Sequence, residues 1–155
     1  MSEIEKRLAQ LGLELPRPAT PAGSYVPWVR SGALLFVSGQ IPFDAEGRVI
    51  TGQVGVDLSV EQAREAARRC GLALIAVARS ALPSLDRVAR VVRIGGFVNS
   101  GPGFTSQPQV LNGCSDLLNE VWGERGRHAR AAVGVSSLPL GAAVEVDAVF
   151  EIAGD

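Results

Sequence analysis

The sequence predicts an α+β fold: a mixed sheet with two helices packed on one face and a helical extension at the N-terminus. Three observations carry this. Two segments, around 60–81 and 108–122, place apolar residues at helical spacing. Six shorter or more continuous runs have β-type composition and are set apart by turn residues. Finally, two helices can cover only one face of such a sheet, so the other face must be hidden by something else. The simplest cover is another copy of the chain, and a homo-oligomer is therefore expected.

Taken in order, Ser2 to Leu13 has helical periodicity, with Ile4, Leu8 and Leu11 near one face; Gly12 leaves open how far the helix runs. The connector that follows contains Pro16, Pro18 and Pro21 and reads as extended chain. Residues 1–22 are read as an appendage and 23–155 as the main domain. Tyr25–Arg30 and Ala33–Ser38 form a hairpin about Ser31-Gly32, and a short third strand is expected near Arg48–Thr51 after Gly47. Ser59-Val60-Glu61-Gln62 is a capping-box pattern that opens the first long helix. Its stripe runs through Ala63, Ala66, Ala67, Cys70, Leu74, Val77, Ala78 and Ala81. Val88–Val98 is apolar on both alternating faces, as in a strand covered on both sides. Pro108 opens the second long helix, whose buried face carries Val110, Cys114, Leu117, Val121 and Trp122 before Gly123 and Gly126 break it. Two last strands are expected at Arg130–Ser136 and Ala142–Ile152. The order is β-β-β-α-β-α-β-β.

Composition narrows the function classes. At 155 residues the chain can bury a real core. With 46% hydrophobic and 20% charged residues it reads as globular rather than disordered. A net charge of −1 supplies no field to recruit nucleic acid or an acidic membrane. No apolar stretch is long enough to span a bilayer, and the first residues lack the apolar core of a signal peptide, so a cytoplasmic protein is expected. Cys70 and Cys114 read as core thiols needing no disulfide, and one His with two distant Cys makes no zinc site. The arginines 64, 68 and 69 with Glu61 and Glu65 read as a solvated helix face, and the single His128 as an ordinary loop or surface residue.

The last two strands hold the strongest local argument. Ala131, Val133 and Val135 alternate with Arg130, Ala132 and Gly134; Val144, Val146, Ala148 and Phe150 alternate with Glu145, Asp147, Val149 and Glu151. The apolar sets are expected under the helices, which puts Arg130, Glu145 and Asp147 together on the opposite face. Antiparallel pairing through a short turn would bring Arg130 near one of the two carboxylates. Such an Arg is either a structural ion-pair partner or an anion site, since its planar fork can hold a carboxylate by two hydrogen bonds. Ala132 and Gly134 beside it leave room for a ligand.

The stretch His128-Ala129-Arg130-Ala131-Ala132-Val133-Gly134-Val135, then Leu138-Pro139 and Val144-Glu145-Val146, resembles the C-terminal signature of the RidA/YjgF family. Tyr25-Val26, Ser38-Gly39-Gln40-Ile41-Pro42 and the run Val91–Val98 resemble it too, in the right order from about Gly23 to Glu151. The resemblance is to a branch with an N-terminal extension. It implies a chorismate mutase-like fold assembled as a homotrimer with sites in clefts between subunits. It also implies hydrolysis of reactive 2-imino acids and enamines to 2-keto acids and ammonia, without metal or organic cofactor. On that resemblance Arg130 is the carboxylate-binding Arg and Glu145 the acidic residue that helps to place water. Tyr25, Ser38 and Gly39 would line the site, with Ala132 where many deaminase members have Cys. A family Asn falls on Asn112 by local sequence and on Ser115 by spacing. Two other readings share the scaffold: a non-catalytic binder of small carboxylates, and a ribonuclease of the endoribonuclease L-PSP kind. Balanced charge and the lack of paired histidines argue against the ribonuclease, and the lack of further cations beside Arg130 argues against a mutase of the chorismate type.

Overall fold

The computed structural model describes residues 1–154. Its elements are α1 (Glu3–Gln10), β1 (Trp28–Ser31), β2 (Leu34–Gln40), α2 (Val60–Ala81), β3 (Val88–Asn99), α3 (Gln107–Trp122), β4 (Ala129–Val135) and β5 (Val144–Ile152). The strands form one mixed sheet in the order β1-β2-β5-β3-β4. Only β3 and β4 pair in parallel, because α3 carries the chain back over the sheet between them.

The helices lie on one face, as expected. The α2 stripe buries Ala63, Ala66, Ala67, Cys70, Leu74, Val77 and Ala78 against Val144, Val146, Ala148 and Phe150 of β5 and Leu35 and Val37 of β2. Ser59 caps α2 and Gln62 reciprocates. α2 and α3 cross closely at glycines: a Cβ on Gly113 would run into the Arg64 backbone carbonyl, and one on Gly71 would lie 2.8 Å from Leu117 Cδ2. α1 is tied to the body. Ser2 and Glu5 form a capping box, the Asp86 carboxylate accepts from the amides of Glu3 and Ile4 at 2.9 and 2.8 Å, and Ile4 and Leu8 are buried. Gly12, at φ 68°, ends that helix's run.

Three expectations are corrected. The segment near Arg48–Thr51 makes only isolated bridges, Phe43 with Val49 and Thr51 with Ala142, so the sheet has five strands. The first strand begins at Trp28, because the preceding residues 22–25 bend and leave Tyr25 ahead of it, 52% exposed. The third correction is the largest: β4 and β5 are not neighbours, since β3 lies between them. Arg130 pairs with Ile94, which is fully buried under the helices, whereas Glu145 pairs with Phe97 on the open face. Arg130, Ala132 and Gly134 therefore face α3, and Ala131, Val133 and Val135 face away from it. A Cβ on Gly134 would lie 2.8 Å from both Gln107 Nε2 and Ser100 Oγ, so a larger inward residue would require those side chains to shift.

The face opposite the helices carries Val29, Phe36 and Val133, all close to half exposed, together with Val149 and Phe97. Among the described residues no helix is long and apolar enough to cross a membrane.

Candidate functional site

The predicted site residues fall into two clusters. The first is built on β4 and α3. Arg130 leaves the edge strand toward α3, where its Nη1 donates to Asn112 Oδ1 at 2.8 Å and to Ser115 Oγ at 3.0 Å, and its Nη2 donates to the Pro108 carbonyl at 3.1 Å. Asn112 and Ser115 sit three residues apart, hence on one helix face. Both therefore reach Arg130, where the sequence left the choice between them open. A guanidinium has five N–H groups. Three are engaged here; the Nε–H and one Nη2–H have no partner among the described residues. Those two can meet a carboxylate side by side. Ala132 lies next along the same face, partly buried against the core.

His128 belongs to this cluster, contrary to its expected role as an ordinary loop residue. Its Nε2 is 2.8 Å from Ser115 Oγ and its Nδ1 is 2.6 Å from the Gly126 carbonyl. Burial holds its pKa below the ordinary imidazole value against the pull of the Gly126 carbonyl, with the Arg130 charge adding to the depression. His128 precedes β4, which begins at Ala129, so strand alternation does not by itself assign its side chain to the Arg130 face.

The second cluster lies on the open face, around the irregularity between Val37 and Gln40 of β2. Gly39 fits against Glu145 so closely that a Cβ there would be 2.5 Å from Glu145 Oε1. Ser38 Oγ donates to the Val26 carbonyl at 2.7 Å, which ties the strand to the chain just after Tyr25. The Tyr25 hydroxyl accepts from the Ala22 amide at 3.4 Å. Burial, and then the neighbouring Asp147 carboxylate, hold Glu145 above the ordinary glutamate range. Asp147 in turn receives the Gly95 amide at 3.0 Å and lies 3.9 Å from Arg93.

Within one chain the two clusters do not meet. Arg130 and Glu145 stand two strands apart, roughly 10 Å, are offset by about another 10 Å along the strands, and lie on opposite faces of the sheet. A cavity of about 600 Å³ lies elsewhere, between the proline-rich connector and α2, lined by Leu15, Arg17, Phe43, Arg69 and Leu72; none of the predicted site residues lines it. Cys70 and Cys114 are buried between the helices. Burial pushes the Cys114 thiol up to about 12 and that of Cys70 well above its usual value, so both stay protonated and unreactive at neutral pH. No three His, Cys, Asp or Glu side chains among the described residues come together as a metal would need.

Comparison with known proteins fits this architecture. Residues 5–152 match the family model described as "YjgF/chorismate_mutase-like, putative endoribonuclease". The chain is 51% identical to Protein TCP17 of Trypanosoma cruzi over 96% of its own length and 94% of the relative's. Among solved structures it is similar to a "putative endoribonuclease" of Shewanella oneidensis, with TM-score 0.93, 35% identity, and 97% and 100% of the two chains covered. It is also similar to RidA of an Antarctic Psychrobacter, with TM-score 0.61, 27% identity, and coverage of 88% and 94%.

Proposed function

The chain belongs to the YjgF/RidA family, and from that premise we propose that it hydrolyses reactive 2-imino acids and their enamine tautomers to 2-keto acids and ammonia. The observation that carries the proposal is the Arg130 guanidinium, braced by three hydrogen bonds to α3 and left with two N–H groups for a carboxylate. The substrate carboxylate docks there, which turns a random encounter into an aligned one. The imine carbon is already electrophilic. Water adds to it, forming a C–O bond while the C=N π pair moves to nitrogen. Glu145 accepts one water proton and passes it to the nitrogen, giving a neutral carbinolamine; it then takes the hydroxyl proton and delivers it to the nitrogen as the C=O forms and the C–N bond breaks. The products are a C=O group and ammonia, so atoms and charge balance with no cofactor. Tyr25, Ser38, Gly39 and Ala132 line the substrate.

For Arg130 and Glu145 to act on one substrate they must come from different chains, and we infer a homo-oligomer, specifically a trimer, with its sites in the clefts between subunits. The exposed apolar residues Val29, Phe36 and Val133 on the uncovered sheet face support that assembly.

The test is a coupled assay in which an amino-acid oxidase generates imino acids and semicarbazide traps what survives. Wild type is expected to lower the trapped imine and Arg130→Ala to lose at least about 100-fold in that rate, as misplacement of a bound substrate does. Undiminished turnover by Arg130→Ala would sink the proposal. A second reading, a carboxylate binder without catalysis, is favoured by one observation: the Arg130 cluster is complete within a single chain and Glu145 is not part of it. Binding of 2-keto acids that needs Arg130 but is indifferent to Glu145→Gln, with no imine turnover, would select it.

A further inference from the structure

We propose that Ser115 and His128 are positioning residues of the Arg130 site, a one-directional hydrogen-bond chain that fixes the guanidinium for its ligand. The inference rests on the reading of Arg130 as a carboxylate anchor and adds His128, with a role for Ser115 that acts through it.

The direction of the chain follows from which atoms can donate. The Gly126 carbonyl can only accept, so the proton of the neutral imidazole sits on Nδ1, 2.6 Å away. Nε2 is then a bare acceptor, and the Ser115 hydroxyl, 2.8 Å from it, donates its single hydrogen there. That leaves the Ser115 lone pairs for Arg130 Nη1 at 3.0 Å, while Asn112 Oδ1 takes the other Nη1 hydrogen at 2.8 Å. Without the imidazole the hydroxyl could rotate and present its hydrogen to the cation. Ser115 is only 8% exposed, so water replaces the ring poorly.

The surroundings keep the ring neutral. Burial holds His128 below the ordinary imidazole value, and the charged group facing it is Arg130 itself. Asp116 on α3 points to solvent, Glu124 and Arg127 are exposed and pair with each other at 3.7 Å, and Arg125 donates to the Val88 carbonyl.

Two measurements on the full chain test this at neutral pH: calorimetric titration with pyruvate, a stable 2-keto acid, and nitrogen NMR of the Arg130 guanidinium. Ser115→Ala and His128→Ala are each expected to weaken pyruvate binding about tenfold, the worth of one or two neutral hydrogen bonds, and to speed guanidinium rotation. The double variant should be no worse than either single one, because the two residues form one chain. His128→Gln can offer a carbonyl oxygen where Nε2 accepts, and should restore both readouts to within about threefold. Equal guanidinium mobility in wild type, Ser115→Ala and His128→Ala, or a Gln variant no better than Ala, overturns the proposal. If wild type binds no pyruvate, or binds it independently of Arg130, the anchor reading fails instead, and the NMR comparison still decides whether the chain positions Arg130.

Discussion

Glu145 is the residue whose chemistry is most exposed to pH. Its carboxyl is raised by burial and by Asp147, and it must be ionised to take a proton from water. The raised group is protonated first as pH falls, so kcat/KM should drop through an inflection above the ordinary glutamate range. Asp147→Asn removes the like charge and should move that inflection down. Glu145→Gln should be slow and lack it altogether; an unchanged acid limb in that variant assigns the base elsewhere. The resemblance of the sequence marked Arg130 and Glu145 as one site, yet it could not show that His128 and Ser115 brace the Arg, because that contact depends on where α3 runs beside β4. Spacing would put His128 on the Arg130 face only in a strand that starts early, and β4 begins at Ala129, so its part in the cluster was not legible there.

At the scale of elements, the helices were the legible part. The Ser59–Gln62 capping box and the alanine-rich stripe of α2 stand where their spacing puts them, because burial on one face is written directly in a period of 3.6. The strands were harder. Alternation tells which residues of β4 share a face but not which face that is. The apolar Ala131, Val133 and Val135 look like core, whereas α3 needs the small Ala132 and Gly134 beside it. The long connection with a helix between β3 and β4 was the available clue to a parallel crossover, and it also separates β4 from β5. The α2–α3 crossing makes its own prediction. With the Arg64 carbonyl directly over Gly113, Gly113→Ala should force the helices apart and cost about 1–3 kcal/mol, measured as a lowered denaturant midpoint. An exposed-site Gly→Ala in a helix would instead stabilise it.

For the whole molecule, the open sheet face decides between a lone chain and an assembly. Phe36 lies on that face, 45% exposed, beside Val29 and Val149 and away from the core. Phe36→Glu should leave the fold intact but shift the sedimenting species toward monomer and abolish imine turnover together with assembly. A folded, monomeric and fully active variant would show that one chain holds a whole site. The distance between Arg130 and Glu145 also has a consequence for inheritance. If each working site borrows one residue from each of two chains, two separately inactive proteins can repair one another. Arg130→Ala and Glu145→Gln subunits, dissociated and reassembled together, should recover turnover, because some clefts join an intact Arg130 to an intact Glu145. A cell carrying both alleles would then retain imine turnover that a cell carrying either one alone lacks.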